Sequence, residues 1–285
     1  MNNIEKFIEA YKPQYGADTT MIIESLMEHE EKVALINPFI PEENITSYID
    51  APITNFLGQK ICQSHLKPER IDSLLSHYFL DRSSLLAPSL LPQHPGSNFL
   101  DMCSAPGGKL LASVFLRVKN VSFVANDLSH ARAHRLKKVV KDYLPNDIAL
   151  DFAAKDASLI GLKQPEHYDA VLLDAPCSSE AHLIKNPTLL NQFSGLRKNL
   201  PHRQYALLCS ALMATKKNGF IMYSTCSINK NENEEIIKRV LKKKGDLLSL
   251  VPLKTPLGNI TPWGVEIMPH KDKAGPAFLS LLQKI

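Results

Sequence analysis

Phe99-Leu100-Asp101-Met102-Cys103-Ser104-Ala105-Pro106-Gly107-Gly108-Lys109 reads as a short buried strand running into a turn of small residues, and Leu110 to Val118 continues it as an apolar helix. Gly107 and Gly108 lack a Cβ, so the backbone there can come close to a ligand. In an open α/β sheet, ligands sit beyond the carboxyl ends of the strands, where this turn falls. The spacing is not the G-x-G-x-x-G of a dinucleotide site, and no first glycine precedes Gly-Lys at the distance a P-loop needs.

Outward from this unit the alternation repeats. Val121 to Ala125, Ile148 to Ala153, Tyr168 to Leu173 and Phe220 to Ser224 read as strands. Ser129 to Tyr143, His202 to Ala214 and Glu232 to Lys244 read as helices, with Lys216, Lys217 and Gly219 as the C-terminal signals of the second. Phe278 to Leu282 is a last apolar run. The pattern predicts a parallel, doubly wound α/β sheet with helices on both faces. Upstream, Met21 to Leu35 has apolar residues at helical spacing with Glu28, Glu30 and Glu31 between them, and Ile71 to Leu91 reads as a helix leading into the main domain. The expected division is a small helical extension, 1–75, a candidate RNA-binding element, followed by a catalytic domain, 76–285.

The 285 residues include five cysteines, Cys62, Cys103, Cys177, Cys209 and Cys226. An odd number in a long chain argues against a disulfide framework, no CxxC pair is present, and no metal site is expected. No apolar run is long enough to span a membrane. The segment up to Tyr15 carries Glu5 and Glu9, unlike a secretory signal or an Arg-rich transit peptide, so a cytoplasmic protein is the expectation. Residues 1–98 hold 7 Lys/Arg against 13 Asp/Glu, whereas 99–285 hold 26 against 16. A basic half suits a polyanion, though solvated helix faces give the same counts. Arg132 to Lys141, Arg197 to Arg203 and Lys238 to Lys244 are the candidate phosphate contacts.

Chemistry concentrates at two strand ends. Asp174-Ala175-Pro176-Cys177 closes one strand and Tyr223-Ser224-Thr225-Cys226 closes its neighbour, bringing two thiols and a carboxylate to one crevice. A lone strand-end cysteine is ordinarily core filler; two at corresponding ends are not explained that way. Cys62 and Cys209 are assigned to packing. A thiolate adding to C6 of cytosine turns the unreactive C5 into an enamine carbon that accepts a methyl group, provided the thiol pKa falls below about 8.5. Asp174 is suited to hydrogen-bonding the ring N3 and exocyclic amine, with Lys109 helping to hold the base. Such chemistry requires an accessible or flipped-out base. Asp127, 19 residues after Gly108, is suited to a ribose diol or to capping the helix from Ser129. Asp156 is suited to an adenine amino group or to a loop. Trp263 is either a base-stacking residue or a hydrophobic plug.

At these residues the chain resembles the Fmu/Sun-type RNA cytosine-5 methyltransferases, over about Tyr78 to Ile285. The anchors are DMCSAPGGK (Asp101–Lys109), ANDLSHAR (Ala125–Arg132), DAPCSS (Asp174–Ser179) and YSTCSINKNENEEII (Tyr223–Ile237). The segments from Leu196 and from Gly275 look most like the short organellar-type members. The resemblance implies a Rossmann-like methyltransferase sheet and S-adenosylmethionine as cofactor. It implies cofactor contacts from Cys103, Ser104, Ala105, Pro106, Gly107, Gly108, Lys109, Asp127, Arg132, Asp156 and Asp174. It also implies Cys226 as nucleophile, Cys177 as the thiol that aids product release, and rRNA or tRNA as substrate. A protein partner supplying RNA specificity is expected without a named candidate. One departure stands out: many relatives follow Pro-Cys with Ser-Gly and a Gly-rich loop, whereas Ser179-Glu180-Ala181-His182 stands here.

Two other readings compete. A DNA cytosine-5 methyltransferase uses the Pro-Cys thiol and a separate target-recognition domain; the Thr-Cys motif and the chain length disfavour it. A non-enzymatic RNA-binding or ribosome-assembly protein on the same fold would be expected to lose the cysteines or the glycine turn, and both are present.

Overall fold

The computed structural model describes residues 3–28 and 32–285. The chain opens with helices α1 (Asn3–Tyr15) and α2 (Thr19–Met27). A four-stranded antiparallel sheet follows, built from β1 (Lys32–Ile36), β2 (Thr54–Phe56), β3 (Gln59–Cys62) and β4 (His77–Asp81) in the order β2-β3-β1-β4. The extension is therefore helical only at its start, and the sheet runs across the boundary expected near residue 75. The helical reading of Met21 to Leu35 fails after Met27, because Val33 and Leu35 bury into the main core while Ala34 and Ile36 bury on the opposite face. A short run buried on both sides carries no periodicity that separates strand from helix. Glu30 and Glu31 lie outside the described residues. Of the helix expected over Ile71 to Leu91, only a 3-10 turn, Arg82–Leu85, and the short helix Leu86–Leu90 form, started by the Asp81 carboxylate accepting from the Ser83 N–H at 2.7 Å.

Five strands form the predicted parallel sheet: β5 (Asn98–Asp101), β6 (Ser122–Asn126), β7 (Leu150–Ala153), β8 (Tyr168–Asp174) and β9 (Thr215–Thr225), in the order β7-β6-β5-β8-β9. The expectation of a wholly parallel sheet is corrected by β10 (Leu248–Val251), β11 (Asn259–Thr261), β12 (Gly264–Ile267) and β13 (Ala277–Lys284), which make it nine-stranded and mixed. β13 lies antiparallel to β9, and β12 and β10 lie antiparallel to β13. Only nine residues separate β12 from β13, too few for the crossover that a parallel pair requires.

The five parallel strands bury both faces, as their near-continuous apolar runs demand. Phe99, Ala170, Leu172 and Met222 face one core with α3 (Gly108–Phe115) and α4 (His130–Tyr143). After α5 (Glu180–Lys185) come α6 (Asn199–Ala214) and α7 (Glu234–Lys244), which cover Leu100, Val171, Leu173, Ile221 and Tyr223 on the other face. Lys216, Lys217 and Gly219 belong to β9 rather than to the end of α6. Lys216 pairs with Asp169 at 2.8 Å, and a Cβ at Gly219 would stand 2.8 Å from the Asp169 carbonyl oxygen. The glycine is needed for strand contact, not as a helix cap. The extension docks on this domain, with Phe7, Tyr11, Ile22, Ile23 and Leu26 packing against Leu183, Ile184, Ile228 and Met268. Trp263 packs against the core beneath α7 with the Lys238 ammonium 5.5 Å from its ring, and so acts as a plug. Among the described residues no helix is long and apolar enough to cross a membrane.

Candidate active site

The strand order reverses between β5 and β8, and the crevice beyond their carboxyl ends holds the predicted residues. Parallel pairing sets Asp174 opposite Ser224, and the Ser224 hydroxyl donates to Asp174 Oδ1 at 2.9 Å. Cys177 and Cys226 then follow their strands by three residues and one, and their sulfurs stand 3.1 Å apart. The Ser179 hydroxyl touches both, at 3.5 Å from Cys177 Sγ and 3.2 Å from Cys226 Sγ. Ser179 has φ +52°, a left-handed conformation that costs a residue with a Cβ about 1–2 kcal/mol and must be held by its surroundings. Lys109, in the first turn of α3, meets Asp174 Oδ2 at 2.9 Å. Cys226 is exposed and Cys177 half-buried. Cys62 is buried within the antiparallel sheet, as its packing assignment requires, and Cys209 lies half-buried on α6.

The surroundings divide the two thiols. Hydrogen bonding from Cys177 is the main influence lowering Cys226 below its ordinary value; Ser179 and the Lys109 ammonium assist, against withdrawal from water and the Asp174 carboxylate. Cys177 is pushed well up, first by its bond to Cys226, then by burial, then by the charge on Cys226. When the pair loses a proton, these directions favour loss from Cys226, with Cys177 keeping its own and donating toward it. Burial alone would lower Lys109, but the Asp174 carboxylate outweighs it and keeps the ammonium protonated. Cys103 is raised by burial and then by Asp101, so it stays a neutral thiol.

A cavity of about 240 Å³ adjoins this centre, lined by Tyr78, Ser84, Asp101, Gly108, Lys109 and Asp174 together with Cys103, Ser104, Ala105 and Pro106. Its buried polar groups include unsatisfied ones. Neither carboxylate oxygen of Asp101 has a hydrogen-bond partner, nor has the Ser104 hydroxyl. Burial, with Asp174 adding, pushes Asp101 up to about 7. Asp127 takes the capping role with one oxygen only: Oδ1 accepts from the Ser129 N–H at 2.9 Å, while buried Oδ2 has no hydrogen bond and only Arg132 at 3.4 Å. Arg132 also donates to the Ala105 carbonyl, tying α4 to the glycine turn. Asp156 bonds Ser158 instead, accepting from its N–H at 3.0 Å and its hydroxyl at 2.9 Å, which holds its carboxyl below the usual range; it does not line the cavity. Gly107 has φ +114°, and a Cβ there would stand 2.9 Å from Leu136 Cδ1; at Gly108 it would stand 3.1 Å from Tyr78 Cε1. Both glycines therefore let helix, turn and sheet pack, beyond any approach to a ligand. Asp101, Ser84, Ser179 and Glu232 were not singled out from sequence. Glu232 is fully buried, accepts from the Ser178 N–H at 2.9 Å and from Gln204 at 2.9 Å, and so braces the Cys177 loop.

A second cavity, of about 240 Å³, opens directly over Cys226, walled by Ser83, Ser84, Ser179, His182 and Pro276. Ser84 lines both cavities, so the two adjoin at that residue.

Comparison with known proteins places these features in context. Residues 88–283 match the family described as 16S rRNA methyltransferase RsmB/F. The chain is 35% identical over 283 residues to a 5-cytosine rRNA methyltransferase NSUN4 of Bos taurus, covering 84% of this chain and 73% of that one. It is 31% identical over 252 residues to a mitochondrial tRNA (cytosine(34)-C(5))-methyltransferase of Danio rerio, covering 79% and 67%. A crystal structure of PH0851 superposes with a TM-score of 0.81 at 28% identity; the match covers 98% of this chain and 65% of that one, just under two thirds of its length. The cytoplasmic expectation is corrected here: the similar proteins whose names give a compartment, from Danio rerio and Mus musculus, are mitochondrial. The acidic N-terminal residues on which that expectation rested belong to the docked helix α1, so they describe a folded element and not a compartment.

Proposed function

Because this chain belongs to the 16S rRNA methyltransferase RsmB/F family, we propose that its paired thiols carry out S-adenosylmethionine-dependent methylation of cytosine C5 in RNA, with Cys226 as the nucleophile. The observation that carries the reading is the 3.1 Å contact between Cys177 and Cys226 beside the Lys109–Asp174 pair. The rRNA class comes first, since the family description and the Bos taurus relative both name it; tRNA is the second reading, from the Danio rerio relative.

The donor set fits the cofactor. Asp127 Oδ2, which has no hydrogen bond, would hold the ribose hydroxyls, and the Cys103–Lys109 turn with Asp101 would enclose the amino-acid end. Asp156 and Arg132 would stand at the edge. When bound, S-adenosylmethionine supplies an electrophilic methyl group. The protein's own work is to generate and recover the thiolate. Cys226 Sγ adds to C6 of the base, its electron pair forming the S–C bond and raising electron density at C5. Asp174 and the Lys109 ammonium hold the polar edge of the ring. Once Cys226 is alkylated, its charge and its hydrogen-bond acceptor are lost, and these were two of the three main causes holding the Cys177 proton. Cys177 then ionises more easily at the stage when the C5 proton must leave. Removal of that proton restores the C5–C6 double bond and expels Cys226 as thiolate.

Bisulfite sequencing of total RNA from cells with and without the gene tests the function; one or more cytosines should lose protection in the deletion, and an unchanged map would refute it. For the cofactor site, Asp127→Ala should weaken S-adenosylmethionine binding by calorimetry by about ten- to hundred-fold, the loss of one charge-assisted hydrogen bond worth about 1.5–3 kcal/mol. Unchanged affinity would leave Asp127 as a helix cap only.

RNA contact is proposed at a concave surface of about 450 Å³ where Arg197, Lys198 and Arg239 meet Asn229 and Asn231, three to five residues beyond Cys226. None of the three cations has an acidic partner among the described residues; Arg239 stacks on Tyr205 at 4.0 Å. RNA affinity should fall steeply with salt, and replacing all three by Ala should flatten the log–log slope by about 2–3. A slope unchanged by the replacements would move the phosphate track elsewhere. A partner protein for RNA selectivity is retained as a proposal, tested by comparing the methylated positions obtained with purified protein and in cells.

A further inference from the structure

Helix α1 reaches the two thiol loops through one buried carboxylate. Glu180 is fully buried and follows Ser179, whose hydroxyl touches both sulfurs. Its Oε1 accepts from the Tyr11 hydroxyl at 2.6 Å and from the Ser227 hydroxyl at 2.8 Å, and its Oε2 accepts from the Ile228 N–H at 3.2 Å. Ser227 follows Cys226 directly. One side chain therefore ties three segments distant in sequence: the N-terminal helix, the loop after β8 and the loop after β9. Gln14 adds a second tie, donating to Asn229 Oδ1 at 3.0 Å and accepting from the Lys230 N–H at 2.8 Å, while the Tyr15 hydroxyl donates to the Ile228 carbonyl.

We propose that Tyr11 and Glu180 are positioning residues for methyl transfer, through which the N-terminal helix sets the separation and orientation of Cys177 and Cys226. The proposal rests on the reading of Cys226 as nucleophile. The two thiols sit on loops from different strands with no covalent link between them, so their contact is only as fixed as the loops. Ser179 holds a backbone conformation that its own chemistry disfavours, and its neighbour Glu180 is the anchored point beside it. Burial pushes the Glu180 carboxyl up to about 7, with Glu232 adding, and the carboxylate depends on its protein donors in place of water. Losing one donor lets the loops drift, and a small displacement at reacting atoms is felt in the chemical step more than in binding.

The test compares full-length Tyr11→Phe, Glu180→Gln and Cys226→Ala proteins, with total RNA from cells lacking the gene as substrate. Tyr11→Phe keeps the ring packed on Phe7, 4.9 Å away, and removes one hydroxyl. Its kcat should fall about ten- to hundred-fold, with KM for RNA and for S-adenosylmethionine within about twofold of wild type. The pH midpoint for alkylation of Cys226 by iodoacetamide should rise, because Cys177 and Ser179 donate less well to it. Glu180→Gln should shift both readouts in the same direction. Wild-type kcat and an unmoved midpoint in Tyr11→Phe, with Cys226→Ala inactive, overturn the positioning role alone. Activity lost only in proportion to the unfolded fraction makes the contact structural and also overturns it. Methylation by Cys226→Ala instead overturns the nucleophile reading beneath it.

Discussion

Cys226→Ala should reduce methyl transfer by about 10^4-fold or more and leave no covalent protein–RNA species on a denaturing gel. Alanine removes the one thiol that combines exposure with a pKa lowered by two hydrogen-bond partners, Cys177 and Ser179, and by the Lys109 charge. Nothing nearby replaces it. Cys177 is pushed up and lies deeper, and Cys103 is a half-buried thiol that burial and Asp101 keep neutral. Binding of S-adenosylmethionine should be intact, because Cys226 is not among its candidate contacts and does not line the cavity formed by most of the Cys103–Lys109 turn with Asp101 and Asp174. A variant that still methylates at more than a few per cent of the wild-type rate would show that the chemistry does not pass through this sulfur.

Cys177→Ala should fail at the opposite end of the reaction. The adduct should form, somewhat more slowly, since the main donor lowering Cys226 is gone and the thiolate fraction at neutral pH falls. Resolution should slow by about 100-fold or more, the ordinary worth of a positioned base. A slower-migrating protein–RNA band should therefore accumulate, and the Cys177→Ala, Cys226→Ala double variant should lack it. The sign of the pH effect follows. With its donor removed, Cys226 has a higher pKa, so adduct formation by Cys177→Ala should recover as the pH is raised, whereas release should not. Adduct retained in Cys226→Ala and lost in Cys177→Ala would exchange the two roles.

What sequence reveals here depends on whether the determining interactions are local. The parallel strands β5 to β9 are legible because each is a buried apolar run bounded by Gly, Pro or polar residues. The thiol pair is legible because two cysteines close neighbouring runs at matching positions. β1 is misread because Val33 to Ile36 is buried on both faces and lacks period-two alternation. The antiparallel edge is missed because the pairing of β13 with β9 is a non-local choice that nothing in Phe278 to Leu282 states. Glu180 and Glu232 are invisible for a related reason. In sequence each looks like a solvated acid at the start of a helix, and only the docking of α1 and α6 buries them. Asp156 caps its own turn through Oδ1, a local role that the sequence reading also allowed beside the ligand role.

The pairing of β9 with β13 also bears on the order in which the protein becomes competent. The strand that delivers Cys226 has β8 on one side and a strand ending at Lys284 on the other, and the loop after it is held by a helix from the first fifteen residues. Tyr11 and Glu180 are 169 positions apart, and Tyr15 and Glu266 are 251 apart. Such contacts pay their loop-closure entropy late, so the ties between the N-terminal helix and the thiol loops should be among the last to form. During synthesis, a nascent chain that has not yet released residue 284 from the ribosome lacks one neighbour of its nucleophile strand, and should neither protect residues 215–225 from protease nor react with RNA.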